Sequence, residues 1–203
     1  MAAGVILQAP KGLDVRPTPD LVKQALFNSL GERIVGKRVL ELFAGTGALG
    51  LECLSRGAIH LVGVEKSSRH ADYIRRNYQQ AKLGDNTLEV RVQDVFVILG
   101  QFRSISRQFD IIVADPPYGP KNINCRSESV AQKLLDHSDL PHLLSESGLL
   151  ILGHARRDTL SIPNIWQEIK LLRHGDSIMR FLRTRAEDTP SSSVQSPPDL
   201  PQN

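Results

Sequence analysis

The residues whose types and order are best suited to chemistry are Asp115-Pro116-Pro117-Tyr118, followed by Gly119. An exocyclic amine on a heteroaromatic base is a weak nucleophile, because its lone pair is delocalised into the ring. The Asp115 carboxylate and the Pro116 carbonyl can both accept protons from such an amine, drawing the nitrogen towards tetrahedral geometry and freeing the lone pair. Pro116 and Pro117 fix φ and hold these acceptors rigid, so little reorganisation is left for the reaction itself. Tyr118 offers a flat face for stacking a base, an interaction worth roughly 1–3 kcal/mol in other systems. A base in a duplex reaches such a turn only when unpaired or flipped out. These four residues predict group transfer onto an amine, driven mainly by positioning and needing no metal. The plainer reading is a strand ended by a proline turn, with Asp115 as a cap.

A second constellation lies upstream, in Phe43-Ala44-Gly45-Thr46-Gly47-Ala48-Leu49-Gly50. Gly45, Gly47 and Gly50 satisfy G-x-G-x-x-G between a strand-like and a helix-like stretch. In that pattern the first glycine allows the tight turn, the second lets a ligand approach the backbone, and the third packs the helix on the sheet. Glu65 comes 20 residues after Gly45, where a carboxylate can accept from ribose hydroxyls. These features alone fit either NAD or S-adenosylmethionine. Glu41 favours the latter, since an acid at the end of the first strand would attract a sulfonium and repel a pyrophosphate. Asp94 favours it too, as an acceptor for an adenine amino group. The predicted cofactor contacts are Glu41, Phe43, Ala44, Gly45, Thr46, Gly47, Glu65, Lys66, Asp94 and Val95.

The elements that must carry these residues alternate. Residues 37–42 read as a buried strand, and a helix begins near Gly47 and continues through Leu54. A strand over 59–64 is followed by a helix over about 69–82, and 88–92 alternates like a strand. Residues 109–114 (FDIIVA) form a nearly all-apolar run, the pattern of a strand covered on both faces. Residues 130–144 read as helical and 148–153 as a central strand. Residues 166–172 and 177–184 flank His174-Gly175-Asp176, a turn signal that predicts a terminal hairpin. Ahead of the first strand, 19–30 reads as a helix with Thr18 as N-cap and Pro19 at its first position. The predicted fold is therefore α/β: a mostly parallel sheet with a C-terminal antiparallel hairpin and helices on both faces, as in class I methyltransferases.

Composition bounds the rest. The chain has 203 residues and a net charge of +3, but residues 186–203 carry three acids and no Lys or Arg, which leaves residues 1–185 at +6. A basic body suits a phosphate polymer as substrate, although solubility alone also accounts for it. The Pro- and Ser-rich stretch 186–203 is expected to be disordered. The expected division is 1–15 as part of an N-terminal hairpin, 16–185 as the catalytic domain, and 186–203 as a tail. No apolar run reaches the roughly 20 residues of a membrane span. Cys53 and Cys125 alone make neither a disulfide framework nor a zinc site, so a cytoplasmic setting is expected. Cys53 reads as a core residue. Arg16 and Thr18 before the first helix, and Lys121 and Arg126 after Tyr118, are candidate substrate contacts. The six histidines show no ligand spacing.

With these residues in hand, the chain resembles the RsmD family of ribosomal RNA guanine-N2 methyltransferases. The resemblance spans about residues 9–184. It is carried by Arg16-Pro17-Thr18-Pro19-Asp20, Ala25-Leu26-Phe27-Asn28, the stretch from Leu42 to Glu52, Ser55-Arg56-Gly57-Ala58 and Asp115-Pro116-Pro117-Tyr118. It implies methylation of a guanine amino group in small-subunit (16S) ribosomal RNA, with residues 115–118 as the catalytic turn and the Gly45 loop, Glu65 and Asp94 holding the cofactor. Its implied partner is ribosomal RNA or an assembling small subunit, met by a monomer. Glu41 and Thr46 stand where that family commonly has Asp and Ser. Only the second half of its basic N-terminal hairpin corresponds to residues here, about 4–15. Methylation of another amine (DNA adenine or a protein side chain) and a non-catalytic RNA-binding assembly role are the alternatives left open.

Overall fold

The computed structural model describes residues 8, 20–84, 87–119, 121–122 and 125–185. Among the described residues, five α-helices and seven strands follow in the order α1 (Asp20–Leu30), β1 (Arg38–Leu42), α2 (Ala48–Ser55), β2 (His60–Glu65), α3 (Ser68–Ala81), β3 (Leu88–Val92), α4 (Val95–Ser104), β4 (Phe109–Ala114), α5 (Val130–Leu135), β5 (Leu144–Ala155), β6 (Trp166–His174) and β7 (Ser177–Thr184). The strands form one sheet in the order β3-β2-β1-β4-β5-β7-β6. All pairs from β3 to β5 are parallel, and β7 runs antiparallel between β5 and β6. This is the class I methyltransferase sheet, in which a single reversed strand, β7, lies between β5 and the edge strand β6.

Alternation of side chains along the strands gives the sheet two apolar faces. Leu40, Leu42, Ile112, Leu150 and Leu152 pack with α4 and α5 on one side. Val39, Ile111, Val113, Ile151 and Met179 pack with α1 and α2 on the other. A strand covered on both faces is apolar at nearly every position, which is why β4 reads as an almost continuous apolar run, interrupted only by the half-buried Asp110. Trp166, fully buried, donates its indole N–H to the Leu135 carbonyl at 3.0 Å and ties the terminal hairpin to α5.

Helix starts follow local capping chemistry. Ser67 accepts from the His70 N–H ahead of α3, Asp94 from the Phe96 N–H ahead of α4, and Ser129 from the Gln132 N–H ahead of α5. Two expectations need correction. The stretch 130–144 is not one helix: α5 ends at Leu135, a 3-10 turn spans Leu140–Leu143 with Pro141 in its first turn, and β5 already begins at Leu144. Pro141 lacks the N–H that a continuing helix would need. Helix α4 is not among the expected elements; Val95, expected as a cofactor contact after the third strand, is its first residue. The Thr18 cap, Pro19 and the expected segments 1–15 and 186–203 lie outside the described residues, Gln8 excepted. No described helix is long and apolar enough to cross a membrane.

Candidate active site

The order of the strands reverses between β1 and β4, and ligands of open α/β sheets bind at such a switch point, beyond the carboxyl ends of the strands. The two constellations emerge there side by side, because Leu42 of β1 is paired with Ala114 of β4. One step further along the chain, Phe43 opens the glycine loop and Asp115 opens the proline turn.

The loop is built from left-handed backbone. Phe43, Gly45 and Gly47 have φ of 57°, 55° and 78°. For Phe43, a non-glycine residue, this costs on the order of 1–3 kcal/mol. At Gly47 an added Cβ would also lie 3.0 Å from Ile74 of α3, whereas at Gly45 it would meet nothing within 4 Å. The open side of the loop is thus at Gly45. Gly47, expected to give a ligand room, instead accommodates α3. At Gly50 an added Cβ would stand 2.5 Å from Glu41 Oε2 and 2.6 Å from Leu61 Cδ1, so α2 rests directly on the sheet.

Glu65 braces the loop with both oxygens: the Gly45 N–H donates to Oε2 at 2.8 Å and the Ser67 N–H to Oε1 at 2.8 Å. Its side chain retains 12% exposure, leaving lone pairs for a ligand hydroxyl. Asp94 uses Oδ1 to cap α4, while Oδ2 pairs with the mostly exposed Lys66 at 3.2 Å. That lysine, aided by the Phe96 N–H, lowers the Asp94 pKa. Val95 is buried in the first turn of α4. Phe43 packs edge-on against Phe96, whose ring stacks on His137, forming an aromatic row beside the loop. Sequence reading missed Asn77. Fully buried on α3, it donates to the Thr46 carbonyl and to the Gln8 carbonyl, each at 3.0 Å, and accepts from the Gln8 N–H. It links Gln8 to the glycine loop. The only signal for it was a lone amide on the apolar stripe of a helix.

Glu41 sits at the end of β1 as expected, but its surroundings differ from the expectation. It is 3% exposed and accepts from the Leu49 N–H at 3.1 Å, below the loop rather than at its mouth. Burial, only partly offset by the Gly50 and Leu49 amides, raises its pKa to about 8. At neutral pH this carboxyl is mostly neutral, so it does not by itself supply the charge that would select a sulfonium over a pyrophosphate.

On the other side of the switch point, Asp115 is half-buried against Gly153 of β5, where any Cβ would collide with its carboxylate. Pro116 is buried and Pro117 exposed. Tyr118 donates its hydroxyl to Ser177 Oγ at 2.9 Å, which anchors the turn to the first residue of β7. The exposed Arg157 donates to the Gly119 carbonyl at 3.4 Å. Beyond the turn, Lys121 is exposed, while Arg126 pairs with Asp136 at 2.6 Å. Asn122 bridges this segment to Thr159, accepting from its N–H and donating to its carbonyl. Arg16 and Thr18 lie outside the described residues. Cys53 is fully buried, and burial pushes its thiol pKa far up, which suits packing and disfavours a nucleophile.

This sheet, with a glycine loop after β1 and an acidic proline turn after β4, defines the class as that of class I methyltransferases. The family model described as "Conserved hypothetical protein 95" matches residues 2–183, and the chain belongs to that family, the RsmD family. It is 33% identical over 153 residues to "Putative rRNA methyltransferase YlbH" of Bacillus subtilis, covering 75% of this chain and 78% of that one. It is 36% identical over 104 residues to "Ribosomal RNA small subunit methyltransferase D" of Haemophilus influenzae, covering 51% of this chain and about half (53%) of that one. Among solved structures, "Putative methyltransferase yhhF" from Escherichia coli superposes with a TM-score of 0.69 at 27% identity, covering 89% of this chain and 92% of that one.

Proposed function

We propose that residues 16–185 form a catalytic domain that transfers a methyl group from S-adenosylmethionine to the exocyclic N2 amine of a guanine in small-subunit ribosomal RNA. The observation that carries this reading is the pairing of Leu42 with Ala114, which sets Asp115-Pro116-Pro117-Tyr118 next to the Gly45 loop. The names of the two ribosomal RNA methyltransferase relatives support the substrate. The loop suits the donor: its open side lies at Gly45, the Glu65 carboxylate stands beside it, and Lys66, next in the chain, is already paired with Asp94. A pyrophosphate would find no free cation among these residues.

When bound, S-adenosylmethionine supplies a methyl group on a sulfonium, the electrophile for in-line displacement by nitrogen. The chain's own residues do the rest. Glu65 and the Gly45 loop hold the adenosine portion, and Asp94, with Val95, borders the adenine. Tyr118, held by Ser177, stacks the base. The Asp115 carboxylate and the Pro116 carbonyl accept the two amine protons, directing the nitrogen lone pair towards the methyl. Asp115 then stabilises the cationic nitrogen formed on transfer, until a proton leaves to solvent. Lys121 contacts substrate phosphate, with Arg126, Arg16 and Thr18 as further contacts. This reading places the protein in the cytoplasm, acting as a monomer on ribosomal RNA or an assembling small subunit.

Calorimetric titration with S-adenosylmethionine, alongside methyl transfer to small-subunit particles by wild type and Asp115→Ala, tests the proposal. Wild type should bind and transfer, and Asp115→Ala should bind but not transfer. Full activity in Asp115→Ala, or no binding by wild type, would overturn it.

A further inference from the structure

A cavity of about 460 Å³ opens at the carboxyl end of β5, bounded by the connection to β6 and by the β6–β7 hairpin. Its walls include His154, Arg156, Asp158, Arg173 and Arg180. Its size is that of small-molecule sites, which span roughly 300–1,000 Å³. It lies on the opposite face of the sheet from the Asp115 carboxylate. His154, Ile178 and Arg180 share the face of Leu152, towards α5, whereas Asp115 lies against Gly153, whose β7 partner Met179 belongs to the α1–α2 side. Residues 118–119 separate the two: Tyr118 reaches Ser177, and a Cβ at Gly119 would lie 3.6 Å from Asp158 Oδ2.

Asp158 is the anomaly. It is 1% exposed, and neither carboxylate oxygen has a hydrogen-bond partner among the described residues. A buried carboxylate left in this state is a cost to folding, and such a cost is retained at sites that meet a ligand. Three guanidiniums line the same cavity. Arg180 is engaged, donating to His154 Nε2 at 2.9 Å and pairing with Glu168. Arg156 and Arg173 are exposed and have no ion pair among the described residues. Burial and the neighbouring Arg180 lower the His154 pKa, and its Nε2 accepts from Arg180.

The combination narrows the ligand. Two uncommitted arginines repel a cationic guest, so Asp158 does not await an arginine or lysine of a partner. They attract phosphate, leaving the carboxylate to read neutral N–H donors. A buried carboxylate with two unpaired oxygens at the wall of the cavity matches two parallel donors, and among the RNA bases only guanine presents them side by side, at N1–H and N2–H. We propose that this cavity is a second nucleotide subsite, in which Asp158 accepts from N1–H and N2–H of a guanine while Arg156 and Arg173 hold its phosphate. The guanine is a residue of the RNA strand other than the methyl acceptor. The subsite does not depend on the methyl-transfer reading, since it binds without donor or turnover.

Calorimetry of the full chain with GMP, IMP and AMP, in the absence of S-adenosylmethionine, tests the proposal. IMP lacks only the 2-amino group. GMP should bind about tenfold tighter than IMP or AMP, as expected for a bidentate base contact. Asp158→Asn should abolish that preference while leaving the thermal midpoint unchanged or raised. Asp115→Ala should keep the preference. Equal affinity for the three nucleotides, or a preference that survives in Asp158→Asn, would overturn the subsite. Loss of the preference in Asp115→Ala would also overturn it, by assigning GMP to the acceptor turn. GMP should further compete with RNA in methyl transfer, and binding that never competes would remove the assignment to the RNA strand.

Discussion

The two halves of the site, on either side of the switch point, are finished to different degrees. On the β1–β3 side nearly every polar group already has work. Glu65 holds two loop amides, Asp94 caps a helix and pairs with Lys66, and Asn77 links Thr46 to Gln8. On the β4–β7 side, Arg156, Arg173 and Lys121 are exposed without ion pairs among the described residues, and Asp158 is buried with its oxygens unsatisfied. A small cofactor met by every molecule benefits from a cradle assembled in advance, because ordering the loop then costs nothing at binding. On the proposed function, a large substrate brings its own phosphates and base edges, and this half would leave its charges to be completed by them.

The comparison predicts that mutations on the two sides fail in different ways. The largest effect is expected at Asp115. Asp115→Asn should lower kcat by roughly 10²–10³-fold, the scale for removing one preorganised electrostatic group. Its affinity for S-adenosylmethionine should stay within about twofold of wild type. A comparable loss of cofactor binding would erase the division of labour. Next comes Glu65→Ala, which deprives the Gly45 and Ser67 amides of their acceptor. Cofactor affinity should fall by roughly 10–100-fold, about 1.4–2.7 kcal/mol, with kcat at saturating cofactor changed much less. Titration calorimetry and saturation kinetics separate these terms.

Gly50→Ala tests whether the cradle is as tightly set as described. Its Cβ would meet Glu41 and Leu61 at 2.5–2.6 Å, so it should destabilise the fold by about 1–3 kcal/mol, an overpacking cost measurable by denaturant unfolding. Glu41 adds a pH signature. Its folded pKa of about 8 exceeds the unfolded value of 4.5, so the folded state binds the extra proton. Its contribution should therefore fall as pH rises from about 4.5 to about 8, then level off. Glu41→Gln should flatten that slope when thermal midpoints are compared at pH 5 and pH 8. A slope unchanged in the variant would contradict the neutral, buried carboxyl. The smallest effect is expected for Tyr118→Phe. It keeps the stacking face and loses the bond to Ser177, so the KM for RNA should rise only a few-fold.

Much of this architecture was legible in the residues. Strands β3 and β4 were readable to the residue, because an alternating run and a nearly all-apolar run leading into Asp-Pro-Pro leave little ambiguity. Helix α4 was not. Its start, Val95-Phe96-Val97-Ile98-Leu99, is apolar at every position and lacks a 3.6-residue rhythm, and the capping role of Asp94 was hidden by its candidacy as an adenine acceptor. The break after α5 was signalled by Pro141 but overridden by the apolar spacing around it. For the site, residue types placed the two constellations, yet which carboxyl faces outward depends on tertiary packing. Glu41, Glu65 and Asp94 look alike in sequence, but burial makes the first neutral, two loop amides engage the second, and a lysine pairs with the third. Asn77 and Asp158 show the same limit. A buried amide that fastens a loop, and a buried carboxylate that nothing satisfies, become visible only when the strands are assembled.

The central claim is that the turn at Asp115 methylates the N2 amine of a guanine. It is tested most directly by incubating the purified protein with S-adenosylmethionine and unmethylated small-subunit ribosomal particles, digesting the RNA, and measuring its nucleosides by mass spectrometry. The account predicts new N2-methylguanosine at one site per particle, absent with Asp115→Ala. Methyl groups appearing on adenine or on protein, or no transfer by a wild type that binds the cofactor, would contradict it.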